Sequence, residues 1–501
     1  MDSTDRMRTL RWACLLLSVY GVSSVEKDPG WPDTFVGAVF EFAVKDSDHS
    51  AGYSRSEALQ HMERSLEAFE EAARDAKRQG AQIIVFPEYG LFGINFTRTS
   101  MYPYLEEVPD PNITSWNPCL EPQRFDNTEV LFRFSCMAKE NDLFVVGNMG
   151  SLEPCTSQSH PNCPSDGRFQ FNTNVAFNSD GLLISRYRKY NLYFEDHYYN
   201  TPNQVDYAIF NTPFAGNFAM FICYDLLFGS PAMEIVKRYG VQNIAFSTAW
   251  FDHLPLLSSI QAQRAFSAGF GINLLASNLN IPEKGAFGSG IYFPGGSKYR
   301  HANGSHLLVE HVPLWSEDAL SQEIPFTEKK INQWEGYSHT GDVEKTGEEP
   351  PFNQIMMYDE HTMVLLSGDR GKHRICHGDV CCSVKYQRTT NSSELYALTA
   401  YDGKHTIRQV FYHQICTLLR CAGSRRESCG KPTSHAVTTF NFELWGNFGT
   451  KYVLPAILTD GMHLQEPDSF GQLKDGRYSI AARMSEGLVT AMLYSRAYDR
   501  D

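Results

Sequence analysis

The chain has 501 residues, 42% of them hydrophobic and 20% charged, and 58 acidic against 44 basic residues give a net charge of −14. At roughly 150 residues per domain, this length predicts two or three domains with sizeable cores. The acidic balance argues against the basic surface that binds a phosphate backbone, so no nucleic-acid partner is expected. The 33 Phe, 25 Tyr and 7 Trp argue against a disordered chain.

The N-terminal segment has the pattern of a secretory signal peptide, residues 1–24. Arginines precede the apolar run 12–22, and the small residues Ser23 and Ser24 follow it. The alternative is a membrane anchor, but the apolar run 12–22 has about 11 residues, whereas a bilayer-spanning helix needs roughly 20. The polar stretch 493–501 does not resemble the hydrophobic tail of a lipid-anchor signal. We therefore expect a secreted, extracellular protein, monomeric and without a membrane anchor.

The secretory route makes disulfides the expected state of most cysteines. Of the 12 cysteines, Cys14 leaves with the signal peptide, and the odd remainder implies a free thiol. Two groups with even numbers of members can pair internally: Cys119, Cys136, Cys155 and Cys163, and then Cys376, Cys381, Cys382, Cys416, Cys421 and Cys429. Cys223 is left over in the apolar run 218–225. By itself such a residue is most simply an inert buried thiol.

The first 300 residues alternate helix and strand patterns. Ser54 and Glu57 form a capping box, and apolar residues follow at three- and four-residue steps until Gly80. Strands are predicted at Thr34–Phe40, Gln82–Phe86, Leu143–Val146, Thr173–Phe177, Leu182–Tyr187, Tyr207–Phe210, Ala219–Cys223, Asn243–Ser247 and Ile272–Ala276, and helices at Pro231–Tyr239 and Ser258–Gly269. Hairpin turns are predicted at Asp180-Gly181 and Gly216-Asn217. Crossovers mixed with hairpins predict a mixed-sheet α/β layer structure.

The composition changes after this region. Residues 311–352 are acidic, with scattered Gly and Pro, and are interpreted as a linker. Strand patterns dominate residues 353–501, at Met363–Leu366, Leu395–Ala400, Val410–Cys416, Val437–Leu444 and Val489–Tyr494. We expect a second, β-rich domain there, crosslinked by the later cysteine group.

Three predicted strands in the first region end at reactive side chains: Glu88, Lys189 and Cys223. Catalytic groups of layered α/β folds cluster at strand exits, so these three side chains are candidates for one site. A carboxylate or lysine at a strand end is, taken alone, most often a solvated cap. The combination favours a shared function.

The three side chains together suit acyl transfer. A thiol attacks as a thiolate, which forms when a base takes its proton and a cation stabilises the charge. Glu88 supplies the base, Lys189 the cation, and Lys189 with the backbone N–H of Tyr224 can hold an oxyanion. The predicted reaction is cleavage of an amide by Cys223, and it needs no metal and no cofactor.

Three motifs carry a family resemblance. Phe86-Pro87-Glu88, Tyr187-Arg188-Lys189-x-x-Leu192 and Phe221-Ile222-Cys223-Tyr224-Asp225 resemble, in this order, the Glu-Lys-Cys motifs of the nitrilase (carbon-nitrogen hydrolase) superfamily. The resemblance implies an α/β fold of the α-β-β-α sandwich type over residues 33–310. It also implies a second acid beyond the lysine, for which Glu195 and Asp196 are both candidates.

Further stretches resemble the branch of that superfamily that contains biotinidase and the vanins. They are Trp116–Pro122, Arg186–Glu195, Ala268–Asn273 and Phe442–Phe448. This resemblance implies a small-molecule or short-peptide biotin amide as substrate, with pantetheine amides as the alternative. Trp250, Phe251 and Leu256 are candidates for an apolar acyl pocket, although core packing explains them equally well.

Weaker signals remain. Asn95, Asn112, Asn303 and Asn391 begin glycosylation sequons. The later cysteines lack the two-residue ligand spacing of a zinc site, so disulfides are the preferred interpretation and no metal is expected. The nearby histidines are interpreted as surface or structural residues: His373, His377 and His413.

Two classes of function therefore remain open for this sequence. The first is a secreted amidohydrolase, and the second is a secreted biotin-binding protein that keeps the fold without turnover. Glu88, Lys189 and Cys223 are all present, which favours the enzyme.

Overall fold

The computed structural model describes residues 34–44, 52–314, 350–390, 392–407 and 409–501. The predicted signal peptide with Cys14, most of the predicted linker and the sequon residue Asn391 lie outside the described residues.

The described helices are α1 (Arg55–Arg78), α2 (Arg98–Met101), α3 (Glu129–Asn141), α4 (Glu234–Lys237) and α5 (Ser259–Phe270). The first part of the chain has strands β1 (Thr34–Ala43), β2 (Ile83–Val85), β3 (Glu106–Glu107), β4 (Phe144–Pro154), β5 (Arg168–Phe177), β6 (Leu183–Arg188), β7 (Ile209–Thr212), β8 (Gly216–Ile222), β9 (Asn243–Thr248), β10 (Asn273–Asn280), β11 (Ser289–Phe293), β12 (Gly296–Arg300) and β13 (His306–Pro313). The second part has β14 (Phe352–Met356), β15 (Asp359–Leu365), β16 (Arg370–His377), β17 (Val380–Arg388), β18 (Tyr396–His405), β19 (Phe411–Arg420), β20 (Phe440–Gly446), β21 (Val453–Thr459), β22 (His463–Leu464), β23 (Ser469–Gln472), β24 (Tyr478–Arg483) and β25 (Leu488–Arg496).

The first part is an α-β-β-α sandwich. Its strands follow the order β6-β5-β4-β2-β1-β10-β9-β8-β7, but β1 and β10 pair only at Phe42↔Leu279 and Ala43↔Asn280, so the order divides into two halves. Helices α1 and α3 contact the half that contains β1, and α5 contacts the half that contains β10. Parallel pairs surround the centre, and antiparallel hairpins are formed by β5–β6 and β7–β8. The first hairpin turns at the predicted Asp180-Gly181, whereas the second turns at residues 213–215, so the predicted Gly216-Asn217 begins β8 instead.

Alternating side chains build the two interfaces of this sandwich, because successive residues of a strand point to opposite faces. In β2, Ile83 and Val85 join the core between the two halves, while Ile84 joins the core beneath α1. The rings of Phe35 and Phe218 meet across the central core with centroids 5.5 Å apart.

The capping box predicted at Ser54 begins α1. The Ser54 hydroxyl accepts a hydrogen bond from the Glu57 N–H, and the Glu57 carboxylate accepts one from the Ser54 N–H at 2.8 Å. The helix ends at Arg78, and Gly80 follows with a φ of +86°, a conformation that glycine adopts without strain.

Several elements differ from the sequence-based expectation, and helix α3 and strands β3, β11 and β12 were not predicted. Strand β8 ends at Ile222, so Cys223 begins the turn after it. The helix predicted at Pro231–Tyr239 shortens to α4, which follows a wide turn at Gly229–Met233. Strand β13 was missed; it pairs antiparallel with β1 and extends to Pro313, inside the predicted linker.

The second part consists of two sheets, with orders β14-β15-β18-β19-β25-β21-β22 and β16-β17-β20-β24-β23. A core that includes Leu398, Leu418 and Phe442 lies between them. The disulfides confirm that each cysteine group pairs internally: Cys119–Cys136, Cys155–Cys163, Cys376–Cys381, Cys382–Cys416 and Cys421–Cys429. Within the described part of the chain, Cys223 is the free cysteine, and it is buried.

The β-rich part packs directly against the sandwich, and residues 34–501 form one compact unit. Helix α5 meets β21, where Gly269 lies against Leu454. Phe411 of β19 and Tyr494 of β25 belong to the same core as β8. Across the described ranges, no helix combines the length and the apolar character needed to cross a membrane.

Candidate active site

The structure brings Glu88, Lys189 and Cys223 to one cavity. Glu88 follows β2, Lys189 follows β6 and Cys223 follows β8, and all three side chains line the cavity together with Glu195. The Lys189 Nζ lies 2.7 Å from Glu88 Oε1 and 2.5 Å from Glu195 Oε1. One ammonium is therefore shared by two buried carboxylates. We call these four residues the catalytic cluster.

Hydrogen bonds fix the Glu88 carboxylate in place. The Asn172 amide donates to Glu88 Oε1 at 2.7 Å, and the Ala249 N–H donates to Oε2 at 2.8 Å. The same Asn172 amide group also donates to Glu195 Oε2 at 3.1 Å. Asn172, in the middle of β5, thus fixes the positions of both Glu88 and Glu195.

Electrostatics inside the cluster keep the lysine charged. Burial is the largest influence and acts to lower the pKa of Lys189, but the surrounding acidic groups, Glu88 first among them, together outweigh it, so this pKa lies above that of an ordinary lysine. Burial, with the Glu88 charge, raises the pKa of Glu195 well above its usual range. Burial therefore favours the protonated form of Glu195.

Cys223 has an unusual backbone and a protonated resting state. Its φ of +49° lies in the left-handed region, which is strained for a residue with a side chain and recurs where a reactive group must project from a tight turn. Burial, followed by the nearby Glu88 charge, raises the pKa of the thiol. The group at rest is therefore a thiol, and it needs a base to become a nucleophile.

Asp225 holds the turn that carries Cys223. Its Oδ2 accepts hydrogen bonds from the Tyr187 hydroxyl at 2.7 Å and the Ile222 N–H at 3.1 Å, and its Oδ1 accepts from the Asn191 N–H at 2.9 Å. Burial raises the pKa of Asp225 to about 6, although these donors oppose the shift. Asp225 thereby ties the loop after β6 to the turn after β8.

Tyr224 lies within the short helical turn Cys223–Leu227. Backbone N–H groups in a first helical turn have no intrahelical acceptor, so this N–H is suited to bind an anion.

The two candidates for a second acid separate cleanly. Glu195 is buried in the cluster, where it also accepts a hydrogen bond from the Tyr89 hydroxyl. Asp196 is exposed. The sequence could not decide between Glu195 and Asp196, because these neighbouring acids both follow Lys189 in an irregular loop.

The predicted acyl-pocket residues have different positions. Trp250 and Phe251 line a second cavity, which is mainly apolar and also reaches Cys223. Leu256, by contrast, is fully buried in the central core, and its neighbour Leu257 lines the cavity. The structure therefore places Leu257, and not the predicted Leu256, at this cavity.

Several contributors to the site were missed from the sequence. Asn172 and Tyr89 carry no motif and meet the cluster through contacts distant in the chain, and Asp225 was part of a quoted motif without an assigned role. From the β-rich part, Phe411 and Tyr494 line the apolar cavity. The only available signal was their apolar strand pattern, which indicates a core equally well.

The described sequon residues Asn95, Asn112 and Asn303 are exposed, and Asn95 also borders the cavity of the catalytic cluster.

His413, interpreted as a surface or structural residue, is buried beside Asp359 and His405. Side-chain ligand atoms of these three residues lie within 4.8 Å of one another. Both histidines contact the same oxygen: His405 Nδ1 lies 2.8 Å and His413 Nε2 3.2 Å from Asp359 Oδ2. These are hydrogen-bond distances, and we call the group the His-Asp-His cluster.

A sandwich that brings a buried thiol, a carboxylate and an ammonium to one cavity is the arrangement of a thiol-dependent amidohydrolase. The carbon-nitrogen hydrolase family model matches residues 53–283, and the Vanin C-terminal domain model matches residues 351–501. The chain belongs to the carbon-nitrogen hydrolase family, in the branch that has this C-terminal domain. It is therefore an enzyme that cleaves carbon–nitrogen bonds of amides.

Two relatives, a biotinidase and a pantetheinase, agree with this assignment. The chain is similar to the biotinidase of Bos taurus, with 44% identity over 97% of each chain. It is similar to the pantetheinase of Mus musculus, with 40% identity over 94% of this chain and 90% of the relative. Among solved structures it resembles an amidase from Nesterenkonia sp., with 19% identity and a TM-score of 0.40, over 56% of this chain and 92% of that one.

Proposed function

We propose that this protein releases free biotin from biocytin and biotinyl peptides through an acyl-enzyme on Cys223. The proposal depends on one observation: the free thiol lines the same cavity as Glu88 and Lys189. In that cavity, Lys189 Nζ and Glu88 Oε1 are 2.7 Å apart.

In the first half of the proposed reaction, Glu88 takes the thiol proton as Cys223 Sγ attacks the amide carbonyl carbon. The carbonyl oxygen becomes an oxyanion, which Lys189 and the Tyr224 N–H stabilise. Glu88 then passes its proton to the amide nitrogen, the carbon–nitrogen bond breaks, and the amine leaves. The product on the enzyme is a thioester.

In the second half, Glu88 takes a proton from a water molecule, whose oxygen attacks the thioester carbon. The carbon–sulfur bond breaks, and the proton returns from Glu88 to the sulfur. Glu195 positions the Lys189 ammonium throughout, because the two groups are 2.5 Å apart. Thiol and carboxylate are thereby restored for the next cycle.

Two observations support biotinyl substrates. The acyl cavity is mainly apolar, which suits the valeryl chain and fused rings of biotin. The identity to biotinidase, 44% over 97% of the chain, exceeds the 40% to a pantetheinase over 94%. Pantetheine amides remain the second candidate because of that latter similarity.

The proposal also includes secretion and glycosylation at Asn95, Asn112 and Asn303. Support comes from the disulfides, which persist in oxidising compartments, and from the exposure of these three side chains.

The test compares biotinyl and pantothenyl amides that have the same leaving amine, using the same purified protein. We expect a higher kcat/KM for the biotinyl amide and no turnover by Cys223→Ala. Glu88→Gln should lower kcat by at least about a hundredfold, since general base catalysis contributes roughly this much or more.

Glu140→Gln, an exposed change on α3, is the matched control and should retain the wild-type rate. Turnover by Cys223→Ala would refute the nucleophile, and a higher kcat/KM for the pantothenyl amide would refute the substrate.

A further inference from the structure

Two cavities meet at the free thiol. Tyr193, Cys223 and Phe251 line both of them. Glu88 and Lys189 line only the first, which we call the polar cavity. The second, the apolar cavity, contains neither of these charged groups among its lining residues.

This division separates the two halves of an amide substrate. The amide nitrogen receives its proton from Glu88, so the leaving amine has to lie on the side of the polar cavity. The acyl group lies on the other side of the carbonyl carbon and therefore enters the apolar cavity. This step rests on the function proposed above.

One wall of the apolar cavity belongs to the β-rich part of the chain. Phe411, His405 and His413 of that part line the cavity together with Trp250 of the sandwich. The Phe411 ring lies 5.8 Å from the Phe228 ring, between centroids, and so connects this wall to the segment that follows the nucleophile turn. An acyl chain extending from Cys223 meets the β-rich part at its distal end.

The hydrogen bonds of the His-Asp-His cluster, which lies in this wall, determine which of its atoms carry a proton. Burial is the largest influence and opposes ionisation of Asp359, but the interactions with His405 and His413 together outweigh it and lower the pKa of Asp359 to about 2, so its carboxylate is ionised and accepts from both of them. Burial lowers the pKa of His413 to about 4, so His413 is neutral. Its Nε2–H then donates to Asp359, and its Nδ1 accepts from the Tyr494 hydroxyl at 3.1 Å.

His405 contacts the same carboxylate, and its Nδ1 lies 2.8 Å from Asp359 Oδ2. Because an ionised carboxylate only accepts hydrogen bonds, Nδ1 carries the donated hydrogen, and Nε2 is the ring nitrogen left for a ligand in the cavity. The His405 side chain is 13% exposed. Asp359 therefore fixes which ring nitrogen of His405 is available.

We propose that His405 is a specificity-determining residue that accepts a hydrogen bond from an N–H at the distal end of the acyl group. The recognised class is an amide whose acyl part has an apolar stem and a polar N–H head, such as the cyclic urea of biotin. The stem packs between Trp250 and Phe411, and the β-rich part of the chain thereby selects the substrate.

The test uses two amides of lysine with the same leaving amine: Nε-biotinyl-lysine, which has the polar head, and Nε-pentanoyl-lysine, which has only the stem. In His405→Leu, we expect kcat/KM to fall about tenfold for the biotinyl amide, the effect of one lost hydrogen bond. The pentanoyl amide should change less than about twofold. His405→Gln, which retains an acceptor, should recover part of the loss.

His435→Leu is the control, because it removes an exposed imidazole from the same β-rich part, and it should not affect either substrate. Thermal unfolding of each variant separates recognition from misfolding. Equal losses for both substrates, or no loss, would overturn the role of His405. Failure of the wild type to hydrolyse Nε-biotinyl-lysine would instead overturn the proposed function itself.

Discussion

Individual acids in this protein owe their charge state to burial as much as to their partners. Glu41 of β1 is fully buried, where its carboxylate accepts hydrogen bonds from the Asn280 amide at 2.5 Å and the Gly288 N–H at 3.1 Å. Burial outweighs these donors and raises the pKa of Glu41 from 4.5 to about 8. The folded state therefore retains a proton that the unfolded chain loses.

The sign of the pH effect follows from this difference. Between pH 4.5 and about 8 the folded protein binds more protons at Glu41 than the unfolded chain does, so this residue makes stability fall as pH rises. We predict that Glu41→Gln, which has no proton to lose, gains stability relative to the wild type as pH increases through this window. Denaturant unfolding at several pH values measures the difference.

Glu283→Gln is a suitable comparison, because Glu283 is exposed. Identical pH profiles of wild type and Glu41→Gln would contradict the expected linkage.

Among the elements, α5 joins the sandwich to the β-rich part through a glycine. A Cβ at Gly269 would lie 2.5 Å from Leu454 Cδ2 and 2.9 Å from the Val453 carbonyl oxygen, and the second of these is backbone. The close approach of α5 and β21 therefore depends on the missing side chain.

We predict that Gly269→Ala lowers the free energy of unfolding by about 1–3 kcal/mol, the usual cost of overpacking. The direction of this change distinguishes the buried contact from an ordinary helix position, because the same substitution inside an exposed helix raises the free energy of unfolding by about 1 kcal/mol. Gly295→Ala, where nothing lies within 4 Å of the added Cβ, is the control. If urea unfolding showed that Gly269→Ala is more stable than the wild type, the prediction would be wrong, because α5 and β21 could then move apart without an energetic cost.

Elements whose information is local were predictable from the sequence. The capping box at Ser54 and the free Cys223 depend on neighbouring residues or on simple cysteine counting. β13 was missed because its pairing with β1 joins residues more than two hundred positions apart. In the β-rich part, five of the twelve described strands were predicted (β15, β18, β19, β20 and β25), and their partners were not predicted for the same reason.

The candidate site divides in a similar way. Glu88 and Lys189 were recognisable because each ends a strand and carries a reactive group. Asn172 and His405 were not, because an asparagine within one strand and a histidine at the end of another acquire meaning only when the fold brings them to the cavities.

For the molecule as a whole, Arg496 is a buried polar link between its two parts. This side chain is fully buried; its Nε donates to the Leu227 carbonyl at 2.7 Å, and its guanidinium pairs with Asp501 at 2.7 Å and donates to the Tyr412 carbonyl. Leu227 ends the turn that carries Cys223. A residue of β25 thus supports the nucleophile turn from outside the sandwich.

We predict that Arg496→Lys lowers the free energy of unfolding by about 1–3 kcal/mol, because lysine cannot reproduce the planar fork and leaves a buried acceptor unpaired. We also expect kcat to fall, since the turn loses a support. Chemical denaturation and steady-state kinetics measure the two effects. Arg483→Lys, at a side chain that is 75% exposed, should change neither; equal behaviour of the two variants would argue against the link.

The shared apolar cavity also has a consequence for biosynthesis. A ribosome delivers Glu88, Lys189 and Cys223 well before it delivers β18 and β25, whose residues complete the wall. During synthesis, the sandwich segment is therefore complete before the apolar cavity has its second wall. Premature termination after the sandwich would remove His405, Phe411 and Tyr494 from that cavity. It would also remove Arg496 from the nucleophile turn and expose the part of the core that both segments share.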